Sequence, residues 1–303
     1  MQDRKKIVRR KKFNRNLFVF SCIALPIFNF LLLYVYVNFS SIVMAFTNVR
    51  GELGFDNFVS FWKELNDADS LLRDAIPNTL ITFAIGFVTF PFKVLVSYFI
   101  YKKVPFSGFY RIVFFLPTII FSVALNFIFI YMIGPEGFIA QAVNRWTGLG
   151  PDLLADSRTA NLVIWGQMLW LGFPGDLIIW GGTFTRIPQD VLESAQIDGV
   201  NWWTEFTKIV VPMVWPTVSL QMVLLVCGLF GATGNVWLLT QGDYGTHTIS
   251  SWMYSQLYSG SLSKGSGVFN YMSAAGLSIT VVAIILSTAV RKWTDKAFEE
   301  VEF

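Results

Sequence analysis

Long apolar stretches separated by short polar ones set the architecture of this chain. Six stretches reach the roughly 20 residues that a helix needs to cross a bilayer: Leu17 to Phe39, Asn78 to Tyr101, Ile112 to Ile133, Asn161 to Thr185, Pro212 to Thr240 and Asn270 to Val290. The pattern predicts an all-α, polytopic membrane protein with six transmembrane helices. The first stretch is longer than a signal-peptide core and has no small-x-small cleavage site at its end, so it is expected to stay in the mature protein.

Composition agrees. Hydrophobic residues make up 54% of the 303 positions, aromatic residues 17% and charged residues only 14%, more apolar surface than a soluble fold of this length can bury. Both cysteines, Cys22 and Cys227, fall inside predicted spans. A thiol there serves as a small apolar filler, and no disulfide or metal framework is expected.

Charge adds orientation, because Lys and Arg near a membrane favour the cytoplasmic side. Eight precede the first span, between Arg4 and Arg15. With that end inside, sixteen Lys and Arg fall in cytoplasmic segments and six outside. Both termini are therefore expected in the cytoplasm. The basic first dozen residues also fit nucleic-acid binding, but beside a span the orientation signal explains them better.

Several residues within the spans invite two readings. Lys93 follows Pro91 in the second span, near its cytoplasmic end. It can extend its ammonium to the headgroups or pair structurally, or it can act in a pathway, as an intramembrane ionisable group often does. Asp176 follows Gly172-Phe173-Pro174-Gly175 in the fourth span, where the proline removes a backbone donor and the glycines let the helix bend. A packing kink with a paired carboxylate competes there with a pathway role. Gly228, Gly231 and Gly234, with Asn235 after them, place small residues at helical spacing in the fifth span, which suits close helix packing or an open cavity.

The most informative segment is the loop 186–212 between the fourth and fifth spans. It reads as two short helices and a turn. Pro188 suits a first helical position, Asp190 the first turn, and Gly199 a left-handed end, while Asn201 can cap a second helix anchored by Trp202, Trp203, Phe206 and Ile209. Val191, Leu192 and Ala195 form an apolar strip beside Asp190 and Glu193. A helix lying flat on lipid would carry Lys and Arg on its polar face, and this one is acidic. The strip is a surface suited to docking on a protein.

Here the sequence resembles a known family. Glu193-Ser194-Ala195, then Asp198-Gly199, then Ile209 and Pro212, is similar to the EAA loop of permeases in binding-protein-dependent importers of the ATP-binding-cassette class, departing from it at Ser194 and Val200. Pro77-Asn78-Thr79, Phe114-Phe115-Leu116-Pro117, Trp170-Leu171-Gly172-Phe173-Pro174 and Leu239-Thr240-Gln241-Gly242 resemble the sugar-importing, maltose-type and polysaccharide branch. The Gly-Gly-Pro usual after that threonine is absent.

The resemblance implies a MetI-like permease core at 77–291, preceded by a basic N-terminus, a peripheral span and an external loop at 1–76, and followed by a cytoplasmic tail at 292–303. It implies a multi-pass protein of the bacterial cytoplasmic membrane that moves a sugar or oligosaccharide inward. The implied partners are a second, homologous permease, forming a heterodimer, two ATPase subunits and an extracellular substrate-binding protein. Glu193, Ser194, Ala195, Asp198, Gly199 and Pro212 would couple the chain to the ATPases. Sugar contacts of the maltose branch, carried over by position, fall on Met168, Gly172, Gly175, Gly228, Leu229 and Ala232, of which only Gly172 keeps the family residue. The chain lacks a Gly-x-x-x-x-Gly-Lys-Ser/Thr loop, so ATP and Mg are expected on the ATPase subunits, with no cofactor and no enzymatic site here. The alternatives are a permease for a non-sugar solute and an ion-coupled secondary transporter, although no internal repeat supports the latter. A membrane enzyme is disfavoured, because the single histidine, His247, has no cluster of ligands or carboxylates around it.

Overall fold

The computed structural model describes residues 2–150, 152–173, 175–231, 234–264 and 267–297. Among them the regular structure is helical, apart from one isolated bridge between Thr47 and Leu53. Six segments are long and apolar enough to cross a membrane: Phe18–Phe46, Leu71–Tyr101, Ser122–Thr147, Ala160–Phe184, Trp202–Phe230 and Gly267–Ala297.

Three of these differ from unbroken rods. The expected third span, 112–133, is two helices, Ser107–Ile119 and Ser122–Ile133, separated where Ile120 adopts an extended conformation. Pro117 lies in the last turn of the first helix, where its missing N–H weakens the ladder. The membrane-length segment instead continues past Ile133 into Phe138–Thr147, through a turn at Gly137 where a Cβ would collide with the Met132 carbonyl. The fourth span is broken between Ala160–Gly172 and Leu177–Phe184, as the Gly-Phe-Pro-Gly sequence suggested. The fifth ends in a 3-10 turn at Gly228–Phe230, with a separate short helix at Gly234–Leu239. The expected stripe of Gly228, Gly231 and Gly234 is therefore not the face of one helix.

The chain divides into two compact units, one from residues within 1–62 and 263–278, the other from residues within 63–262 and 279–303. In the first unit, none of the apolar window of the span Phe18–Phe46 is buried, the exposure of a helix that lipid surrounds. Its last turn is fastened by side chains. Asn57 Nδ2 donates to the carbonyls of Ala45 (3.0 Å) and Thr47 (2.9 Å), and Asn270 Nδ2 donates to Thr47 at 2.9 Å. These bonds satisfy carbonyls that a helix end leaves without partners.

The second unit is built on a core of Phe90, Val94 and Tyr98 from the second span, Trp180 and Phe184 from the fourth, Leu192 from the following helix, and Phe206, Val210, Val214 and Val218 from the fifth. A smaller cluster joins Phe129, Ile133, Ala140 and Leu153. Polar glue crosses between helices as well. Gln167 Nε2 donates to Asn126 Oδ1 at 2.9 Å in a fully buried contact. Trp215 Nε1 donates to the Thr294 carbonyl at 2.8 Å, and Ser219 Oγ to Thr294 Oγ1 at 2.7 Å, tying the last helix to the fifth span.

Candidate functional site

The loop between the fourth and fifth spans holds one short helix, Gln189–Ile197. Pro188 is its N-cap, with ψ of 130°, and so stands one position earlier than expected. Gly199 has φ of +70° with open space where a Cβ would go; a side chain would be strained there by backbone conformation alone. Asn201 caps the helical segment that begins at Trp202, its Oδ1 accepting the Thr204 N–H at 2.8 Å. The expected second short helix is instead the start of the fifth span, continuous from Trp202 to Phe230. Its π-turn at Phe206–Val210 lies just before Pro212. With no N–H on Pro212 to meet the Lys208 carbonyl, wider i→i+5 bonding is favoured there.

The short helix has two distinct faces. Leu192 and Ala195, three residues apart, are buried, and Leu192 belongs to the core described above. Glu193, Ser194, Gln196 and Asp198 are exposed, and Ile197 is 85% exposed. The expected apolar strip is thus split. Two of its members seat the helix on its own chain, while Val191 stays at the surface. Ser194 returns its hydroxyl to the Asp190 carbonyl at 2.8 Å, and Gln189 Nε2 donates to Glu193 Oε1 at 2.9 Å.

Sequence reasoning missed Glu205. Its carboxylate is 2% exposed and receives the Tyr98 hydroxyl at 2.8 Å and the Lys102 ammonium at 2.6 Å. Trp202 packs against Phe99, and Phe206 against Tyr98, with ring centroids 5.3 and 5.1 Å apart. The residues following Gly199 are thereby fixed to the end of the second span. A buried carboxylate requires such partners. The one signal in the sequence was a carboxylate at helical spacing from Trp202 and Ile209.

Two of the residues carried over as a solute path meet other residues of interest. Lys93 Nζ lies 3.1 Å from Asp176 Oδ2, and a Cβ on Gly172 would stand 3.8 Å from the same ammonium. Met168 Cε and Leu225 Cδ1 approach the place where Gly86 would carry a side chain, at 3.7 and 3.6 Å. Gly175 and Gly228 face open space. Leu229 is buried, at 6% exposure, and Ala232 lies outside the described residues.

A model of the family described as binding-protein-dependent transport system inner membrane component matches residues 95–300, spanning the loop helix and four of the apolar segments. The chain belongs to this permease family. It is a multi-pass protein of the cytoplasmic membrane and a transport subunit. The permease is 30% identical to the Osmoprotective compounds uptake permease protein GgtC of Synechocystis sp. over 199 residues, covering 62% of this chain and 66% of that one. It is 26% identical to the Maltose/maltodextrin transport system permease protein MalF of Vibrio vulnificus over 199 residues, with coverage of 63% and 37%. The permease thus spans 66% and 37% of the length of these two relatives. The Lactose transport system permease protein LacF of Rhizobium radiobacter is 23% identical over 291 residues, 92% of this chain and 93% of that one. The fold also matches a chain of the crystal structure of a bacterial ABC transporter involved in the import of the acidic polysaccharide alginate, with a TM-score of 0.80, 22% identity, and coverage of 95% and 98%.

One motif of the permease gains a structural role. Asn78 Nδ2 donates to the carbonyls of Gly245 (2.7 Å) and His247 (3.0 Å), and Thr79 Oγ1 accepts the Ile249 N–H at 2.9 Å. Pro77-Asn78-Thr79 therefore pins the loop between Leu239 and Ile249. Within that loop Gly242 has φ of +93°, and a Cβ there would run into the His247 ring. Burial pushes the His247 pKa below its ordinary value, against the opposing pull of Asp243 and Asp74.

Proposed function

We propose that the permease is a membrane-spanning subunit of an ATP-binding-cassette importer that carries a sugar or oligosaccharide into the cytoplasm, with both termini on the cytoplasmic side. ATP, with Mg, is bound and hydrolysed on two separate ATPase subunits. A second homologous permease completes the passage as a heterodimer, and an extracellular binding protein supplies the solute.

The observation that carries this reading is the two-faced helix Gln189–Ile197. Its exposed acidic face and Ile197 are free for a partner, while Leu192 belongs to a core shared with the second, fourth and fifth spans and Ala195 is buried as well. A push on that helix reaches the spans directly. Glu193 bridges to a cation on the ATPase, Ser194 and Asp198 complete the docking face, and Ala195 is small so that the helix can sit close to its own chain. Gly199 sets the turn, and Pro212 follows the π-turn at the start of the fifth span. Met168, Gly172, Gly175, Gly228, Leu229 and Ala232 belong to the solute path. The names of two relatives, which concern maltose, maltodextrin and lactose, support a sugar or oligosaccharide as cargo.

Uptake in proteoliposomes tests the function: carbohydrate uptake should require the ATPase chain and ATP, and uptake driven by an ion gradient without them would refute it. Orientation is tested in a background with Cys22 and Cys227 replaced by serine. Asp243→Cys should react with an impermeant thiol reagent in intact cells and Gln189→Cys should not; the reverse pattern inverts the topology.

A further inference from the structure

Charged residues are almost absent from the spans away from their ends. Within 75–101 Lys93 stands alone, within 160–184 Asp176 stands alone, and 112–135, 209–240 and 267–290 contain none. The two exceptions come from different spans and meet at 3.1 Å, with side chains only 15% and 32% exposed. Paired, the two carry no net charge, and they hold each other in place of water.

The position of the pair bears on what can pass. It lies at the break in the fourth span, with the Lys93 ammonium beside the bare backbone of Gly172. Only one contact, between Nζ and Oδ2, joins the two groups. An ammonium has three donors and a carboxylate two acceptor oxygens, so both retain capacity to hydrogen-bond a hydroxyl. A solute bringing its own charge would meet a pair with no net charge to offset it, and would itself be left uncompensated in a low-dielectric setting. A neutral polyhydroxylated solute can hydrogen-bond to both members while the pair stays closed.

We infer that Lys93 and Asp176 make this permease selective for electrically neutral, hydroxyl-rich solutes over acidic ones such as uronic-acid oligosaccharides. The inference rests on the proposed path past Gly172 and Gly175. It separates this chain's cargo from the acidic polysaccharide of the transporter whose fold it shares.

The test is uptake by the assembled complex in proteoliposomes, with maltodextrins and oligouronates of matched length as probes. The wild-type complex should prefer the neutral probe by about tenfold or more. Asp176→Asn, which leaves Lys93 uncompensated, should shift the ratio toward the oligouronate, and Lys93→Met should shift it further away. The double variant, again without net charge, should return the ratio toward neutral. Preference for the oligouronate in the wild type, or an unchanged ratio across the variants, overturns the inference. If both sugars are refused and a solute of another class is carried, the carbohydrate reading fails, and the charge of that solute then decides the role of the pair. A charged solute overturns it, and a neutral one upholds it.

Discussion

Lys93 and Asp176 lie at opposite ends of two half-helices as well as opposite each other. The ammonium sits beside Gly172, the last residue of Ala160–Gly172, and Asp176 is the N-cap of Leu177–Phe184. A cation is favoured at a helix C-terminus and an anion at an N-terminus. The pair therefore neutralises itself and also suits both helix ends that the break exposes.

This arrangement has a direction that a simple ion pair lacks. Exchanging the charges, Lys93→Asp with Asp176→Lys, keeps the attraction but places each charge at the wrong helix end. The expected loss is about 1 kcal/mol relative to wild type, measured as a lower thermal midpoint of the purified permease. Lys93→Arg should stay near wild type. A swapped pair as stable as the native one would show that the helix ends play no part.

Glu205 should be among the least replaceable residues near the loop. Glu205→Ala removes the partner of Lys102 and Tyr98 together, at an expected cost of about 2–3 kcal/mol. The cost falls at or below the range for a fully buried pair because the Lys102 side chain is 24% exposed and can turn to water. Tyr98→Phe, losing one hydrogen bond, should cost about 1 kcal/mol. Thermal unfolding in detergent separates the two, and equal midpoints would contradict the assignment.

Much of this fold is legible in the sequence, because a membrane leaves so few options for an apolar run of about 20 residues. The break at Gly172–Asp176 was readable from Pro174 and its flanking glycines. The break at Ile120 was not, since Pro117 sits in a run with no charged residue from 112 to 135. Neither Lys93 with Asp176, 83 positions apart, nor Lys102 with Glu205, 103 apart, could be paired from the sequence. Local pattern records periodicity and caps, as at Gly199 and Asn201; long-range partnership becomes visible only once the helices are packed. Pro77-Asn78-Thr79 falls between the two cases. Its residues stood out by resemblance, and its bonds to Gly245, His247 and Ile249 emerged from the fold.

The loop carrying His247 should weaken in acid. Burial lowers its folded-state pKa below the ordinary value of 6.5, so the unfolded chain binds the proton more readily. Stability from the neutral ring is complete above that ordinary value and is lost as pH falls through it toward the folded-state pKa. Hydrogen exchange at residues 240–249 should rise on acidification from about pH 7.5 to about pH 5.5, and His247→Gln should remove most of the change. An identical rise in the variant would place the acid response elsewhere.

If the helix Gln189–Ile197 transmits ATPase work into the spans, a change at Gly199 should break that transmission. Gly199→Val places a β-branched side chain at φ +70°, where the obstacle is conformation and not space, so the turn must change while Leu192 can still anchor the helix. In the reconstituted complex, solute uptake per ATP hydrolysed is measured for wild type and Gly199→Val at equal membrane incorporation. A fall of about tenfold or more is expected for the variant, from lost ATPase docking or from hydrolysis without transport. A wild-type ratio at wild-type hydrolysis rates would contradict it.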